Sequence, residues 1–217
     1  LANEIKVYKY PRKNLNDAWK RVIRHQFHDD ITGTSLMEVY NESCNDYFVS
    51  LSQFKNEYTG AVSAIANELD TEWVTECAVI VNNPSAQKRK DAVSAHIKLK
   101  HNSTFIKVVD KNGSEVPSQI IRKKGKEFDI VFLADVKPLG FRVYDVKAAN
   151  SACAIKTDLK VNEHILENSR YQVVFNRNGD IASVVDKKNR RQLLETPIKM
   201  ALISDTGSLS YPSWEIR

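Results

Sequence analysis

Near residue 72 the apolar residues of this 217-residue chain change their spacing, and that change limits the folds open to it. Upstream, Leu15, Ala18, Trp19, Val22, Ile23 and Phe27 recur at steps that mark one face of a helix from about Asn14 to His28, with Asn14 or Asn16 as its cap. Asp30-Ile31-Thr32-Gly33-Thr34 breaks the pattern. Ser35-Leu36-Met37-Glu38 then has the form of a capping box, which satisfies two orphaned backbone donors reciprocally. A second stripe follows through Leu36, Tyr40, Cys44, Tyr47, Leu51, Phe54, Tyr58, Val62, Ile65 and Leu69. Such a helix would be roughly 50 Å long. The first helix is too short to cover that stripe, which is expected to need further partners from a missing N-terminal segment.

Downstream the period is two. Val93, Ala95, Ile97 and Leu99 alternate with Ser94, His96 and Lys98, and Phe128, Ile130 and Phe132 mark another strand. Asn82-Asn83-Pro84, Asp110-Lys111-Asn112-Gly113, Lys124-Gly125 and Lys137-Pro138-Leu139-Gly140 punctuate the runs as turns. Tyr171–Phe175, Asn178-Gly179 and Ile181–Val185 read as a hairpin, with Asn-Gly favouring a primed turn. Short strands joined by hairpins argue for an antiparallel sandwich rather than βαβ units. The predicted fold class is therefore α+β and multidomain. An antiparallel helical-bundle segment at residues 1–72 precedes an antiparallel β-sandwich at 73–217, each expected to be truncated. Both ends of the sequence read as cut.

Composition narrows the function. Hydrophobic residues make up 42% and charged residues 27%, ordinary values for a globular protein, and no apolar run is long enough to span a bilayer. The net charge of +5 raises the question of polyanion binding. The basic clusters Arg122–Lys126 and Lys187–Arg191 sit in turns without interleaved aromatics, so neither nucleic acid nor membrane is expected as a partner. Cys44, Cys77 and Cys153 form neither a disulfide framework nor a metal knuckle and read as buried free thiols. Localisation is left open, because no targeting signal falls in this window.

The stretch Gln26-Phe27-His28-Asp29-Asp30-Ile31-Thr32-Gly33-Thr34-Ser35 carries the chemistry. Neighbouring helical residues point about 100° apart, so His28 and Asp29 converge on one ligand only if the helix unwinds near them. Two other readings stay open on spacing alone. The His-Asp pair could simply end the helix, or His25 and His28, one turn apart, could both bind a metal, although no third ligand is evident nearby.

This stretch resembles the Gln-x-His-Asp-x-x-x-Gly-Thr signature of glycoside hydrolase family 38, the retaining α-mannosidases. Asn82-Asn83-Pro84, Pro138–Tyr144, Leu166–Val173, Asn178–Ile181 and Asp186–Lys188 resemble further parts of the same family in the same order. The resemblance implies a middle helical domain followed by the first part of the β region, with a catalytic N-terminal β/α domain missing. It implies zinc as cofactor, His28 as one zinc ligand and Asp29 as the carboxylate that holds sugar hydroxyls. The remaining ligands, the nucleophile and the acid/base would lie in the missing domain, so no catalytic residue is expected here and the chain alone should be inactive. The substrate implied is a terminal α-mannosyl residue of a glycan or mannoside, hydrolysed by double displacement. The alternatives are a non-catalytic carbohydrate-binding or scaffold module of the same shape, and a mannosylglycerate-type hydrolase. Ser204–Gly207 and Tyr211–Glu215 faintly resemble a loop that reaches the sugar site in some members, but Tyr211 and Trp214 read better as core or edge aromatics.

Overall fold

The computed structural model describes residues 1–201. Three helices come first: α1 (Arg12–Arg24), α2 (His28–Ile31) and α3 (Met37–Ala66). Strands follow: β1 (Cys77–Asn83), β2 (Arg89–Lys98), β3 (Phe105–Val109), β4 (Glu115–Val116), β5 (Ser118–Lys124), β6 (Glu127–Val136) and β7 (Gly140–Ala149). The rest are β8 (Lys160–Val161), β9 (Ile165–Glu167), β10 (Tyr171–Phe175), β11 (Ile181–Asp186) and β12 (Arg191–Gln192). Helices followed by antiparallel sheets make this an α+β fold. Tyr211, Trp214 and the surrounding loop lie outside the described residues.

The change from helix to strand falls between Ala66 and Cys77. Compactness divides the chain elsewhere: Leu1–Ala154 form one unit, and a second begins at Ile155. The helices stay with the first sheets because polar side chains stitch the two together. Asp145, buried on β7, accepts bonds from the Thr75 hydroxyl at 2.6 Å and from the Thr75 and Glu76 backbone N–H groups at 3.0 and 3.2 Å. Tyr58 on α3 donates to Asn82 Oδ1 on β1 at 2.8 Å. Burial alone would raise the Asp145 pKa, but these donors and Lys147 outweigh it and hold the carboxyl below its ordinary value.

In the first unit, sheet β1-β7-β3-β4 faces sheet β2-β6-β5 across one apolar core. Alternation puts Phe128, Ile130, Phe132, Ala134 and Val136 of β6 inside, opposite Val108, Tyr144 and Val146. Phe132 and Tyr144 meet edge-on with ring centroids 5.0 Å apart, and the Tyr144 hydroxyl accepts from the Asp135 backbone N–H at 2.8 Å. The buried aromatic thereby satisfies its polar tip. Ile97 and Leu99 are buried and Val93 and Ala95 partly so, while Ser94, His96 and Lys98 face outward, as the alternation predicts.

The helices differ from expectation in the face they use. At 30 residues, α3 is about 45 Å long. Its buried side chains are Ser43, Ser50 and Ile65, whereas Leu36, Phe48 and Leu51 stay 73%, 72% and 62% exposed. Helix α1 packs along a polar line on α3. Ser50 donates to the Ala18 carbonyl at 3.3 Å, and Glu57 accepts from Asn14 and Tyr8 at 2.6 and 2.7 Å. Small hydroxyl residues allow that close approach; of the bulky stripe, Phe54 meets Trp19 of α1 with ring centroids 5.1 Å apart, while Leu51 stays exposed.

The predicted capping box does not form. Ser35 Oγ donates instead to Asp30 Oδ1 at 3.1 Å, and α3 begins without a side-chain cap. An ionised carboxylate is the stronger partner for that hydroxyl. Nor are the cysteines buried: Cys44 is exposed, and Cys77 and Cys153 are half-buried.

In the second unit the strands run in the order β12-β11-β10-β9-β8, each antiparallel to its neighbour. The β10–β11 hairpin is present, but its turn is longer than a two-residue primed turn. Asn176 Oδ1 accepts the N–H groups of Asn178 and Asp180, and Gly179 takes the left-handed conformation with φ of 83°. The asparagine three residues before the glycine organises the loop by an Asx bond.

Candidate functional site

Helix α1 stops at Arg24, and Phe27 is extended, with φ of −58° and ψ of 143°. The chain therefore unwinds just ahead of the His-Asp pair, and His28 opens a new single turn. The Phe27 carbonyl accepts from Asp30 N at 3.0 Å and Ile31 N at 3.1 Å. Gly33, with φ of 85°, turns the chain back so that Thr34 N reaches the Asp29 carbonyl at 3.1 Å. A left-handed residue is what glycine adopts without steric cost. Thr32 donates to the His28 carbonyl, and Thr34 Oγ1 lies 3.3 Å from Asp29 Oδ1.

The break brings His28 and Asp29 together on the surface. His28 Nε2 and Asp29 Oδ2 are 3.5 Å apart, with side chains 76% and 52% exposed. The Phe27 ring packs on the imidazole at 4.2 Å between centroids. A polar pair displayed this openly at the end of a helix has donors and acceptors left for an incoming ligand.

His25 does not join them. It is only 3% exposed, and both of its ring nitrogens are engaged. Nδ1 lies 2.9 Å from Asp30 Oδ2 and 2.9 Å from Ser43 Oγ, and Nε2 lies 3.0 Å from Asp46 Oδ2. Burial opposes protonation, yet the two carboxylates outweigh it and raise the imidazole's pKa, while Asp30's falls. With each ring nitrogen already held by a carboxylate, His25 offers no open position to a metal, which removes the His25–His28 metal reading. Sequence reasoning missed this cluster because Asp46 stands 21 residues from His25 on another helix. The available signal was the row of polar residues Ser43, Asp46 and Ser50 one turn apart on α3.

Among the described residues no group of three His, Cys, Asp or Glu side chains is placed to hold a metal ion. One exposed imidazole beside one carboxylate fits a single contribution to a site, since stable zinc sites take about four ligands.

Comparisons with known proteins fall on the same segments. Residues 1–65 match the family model of the alpha mannosidase middle domain. Alpha-mannosidase G of Dictyostelium discoideum is 20% identical over 234 residues, covering 98% of this chain and 22% of that protein. A glycosyl hydrolase family 38 protein from Enterococcus faecalis shares the fold with a TM-score of 0.72 at 18% identity, over 88% of this chain and 27% of that one. An alpha-mannosidase from Enterococcus faecalis V583 superposes with a TM-score of 0.73 at 17% identity, over 85% and 25% respectively. The class defined by this fold is a helical segment leading into antiparallel sheets. Residues 1–65 are thus similar to the middle domain of alpha mannosidases, and the chain shares its fold with solved structures of glycosyl hydrolase family 38. The chain spans about a fifth of the curated relative and about a quarter of the solved structures.

Proposed function

We propose that this chain is the middle helical domain and first β region of a zinc-dependent, retaining exo-α-mannosidase. The observation that carries the reading is the exposed His28–Asp29 pair, displayed by a helix break inside the segment that matches the mannosidase middle domain. His28 serves as one zinc ligand through its open imidazole. Asp29, half exposed, accepts hydrogen bonds from hydroxyls of the mannosyl residue and orients the ring. Bound zinc would supply Lewis-acid contact to adjacent sugar hydroxyls. Retaining hydrolysis needs two carboxyl groups about 5 Å apart across the scissile bond. Asp29 and Asp30 do not provide them, because Asp30 is bound to His25 and Ser35. On this reading the nucleophile and acid/base come from sequence outside these 217 residues, along with the other zinc ligands.

Comparing aryl α-mannoside hydrolysis by the full-length protein and by residues 1–217, each supplied with zinc, tests this division of labour. The full-length protein should turn over and the 217-residue chain should not. Turnover by the purified chain would return catalysis to these residues and sink the proposal.

A further inference from the structure

The single turn that displays His28 and Asp29 is too short to hold itself. Helix nucleation is unfavourable, and four residues close only one turn. The bonds of His28 and Asp29 to Thr32 and Thr34 stay within the loop. Among the described residues, the side-chain bonds of α2 to residues outside 28–34 run through the Asp30 carboxylate: to His25 Nδ1, to Ser35 Oγ and, at 3.4 Å, to Ser43 Oγ. His25 is in turn held from α3 by Asp46 at Nε2, by Ser43, and by Tyr47, whose hydroxyl donates to the His25 carbonyl at 3.2 Å. The groups facing the imidazole are thus Asp30 from α2 and Ser43, Asp46 and Tyr47 from α3.

We propose that His25, buried between Asp30 and Asp46, is the positioning residue that pins α2 to α3 and sets the direction in which His28 and Asp29 face. This rests on the reading of His28 and Asp29 as the ligand-facing pair. An imidazole ring suits the task because its two nitrogens sit on opposite sides of one rigid ring and so bridge two carboxylates on different helices. Neither Asp30 nor Asp46 is then available to zinc or sugar, which leaves Asp29 as the carboxylate on display.

The test is backbone hydrogen exchange together with zinc affinity in the full-length protein. Three variants are compared: His25→Phe, which keeps a ring against Tyr47; Asp46→Asn, a milder change on α3; and Ser50→Ala, which removes a different buried bond between α3 and α1. In His25→Phe and Asp46→Asn, amides 28–34 should exchange about tenfold faster, and zinc should bind about tenfold more weakly, the size expected for loss of a charge-assisted bond. Ser50→Ala should leave both quantities unchanged at 28–34. Unchanged exchange at 28–34 in both His25→Phe and Asp46→Asn overturns the inference. Equal acceleration at residues 50–60 also overturns it, since that would show general loosening. If wild-type protein binds no zinc while exchange at 28–34 still responds as expected, the positioning role stands and the mannosidase reading falls.

Discussion

A carboxylate can hold a sugar hydroxyl only if its oxygens are free to accept. Asp29 and its neighbour Asp30 differ in this respect. Asp30 spends both oxygens on His25, Ser35 and Ser43. Asp29 is half exposed, with only a long 3.3 Å contact from Thr34 and an exposed imidazole 3.5 Å away. Asp29→Asn should therefore leave the fold and bound zinc intact and lower kcat/KM on an α-mannoside by about one to two orders of magnitude, since the amide still accepts through its carbonyl oxygen. Wild-type kinetics, or unfolding on thermal melting, would return Asp29 to the role of ending a helix. The candidates His28 and Asp29 were legible as adjacent letters in a recognisable motif. Their display was not. It depends on a break at Phe27 that no proline or glycine announces, and on an ion cluster assembled from residues 21 positions apart.

The elements divide into those whose sequence pattern decided their packing and those whose partner decided it. In the sandwich, strict alternation along β6 fixes which side chains enter the core, because a pleated strand offers only two faces. Phe132 is 2% exposed against Tyr144 and should be among the costliest positions to empty. Phe132→Ala is expected to destabilise by about 3–5 kcal/mol in urea unfolding; a loss below 1 kcal/mol would mean the two sheets do not share this core. A helix offers a continuous surface, so the apolar stripe on α3 marked a helix correctly without saying which side α1 would take. In the second unit, Lys187 and Gln172 hold Glu167 and lower its pKa to about 2. A depressed carboxylate contributes stability above its unfolded value near 4.5 and loses it as pH falls toward 2. Glu167→Gln should flatten the acid limb of the stability–pH curve of the second unit between those values. An identical acid limb in wild type and variant would show that the Lys187 pair is not linked to folding.

At the scale of the whole molecule, the chain spans about a fifth of the curated α-mannosidase it matches, and the proposal makes its His28–Asp29 pair one part of a ligand set. Metal affinity arises from several preorganised ligands acting together, so removing one imidazole from four weakens binding far more than its share of contacts suggests. The reading of this chain as part of a zinc enzyme therefore comes down to His28. Zinc content of the full-length His28→Ala protein, measured after dialysis beside wild type, tests it most directly. Wild type should retain about one zinc per chain, and His28→Ala should lose most of it together with α-mannosidase activity. Full zinc occupancy in His28→Ala, or a metal-free and fully active wild-type enzyme, would contradict the account.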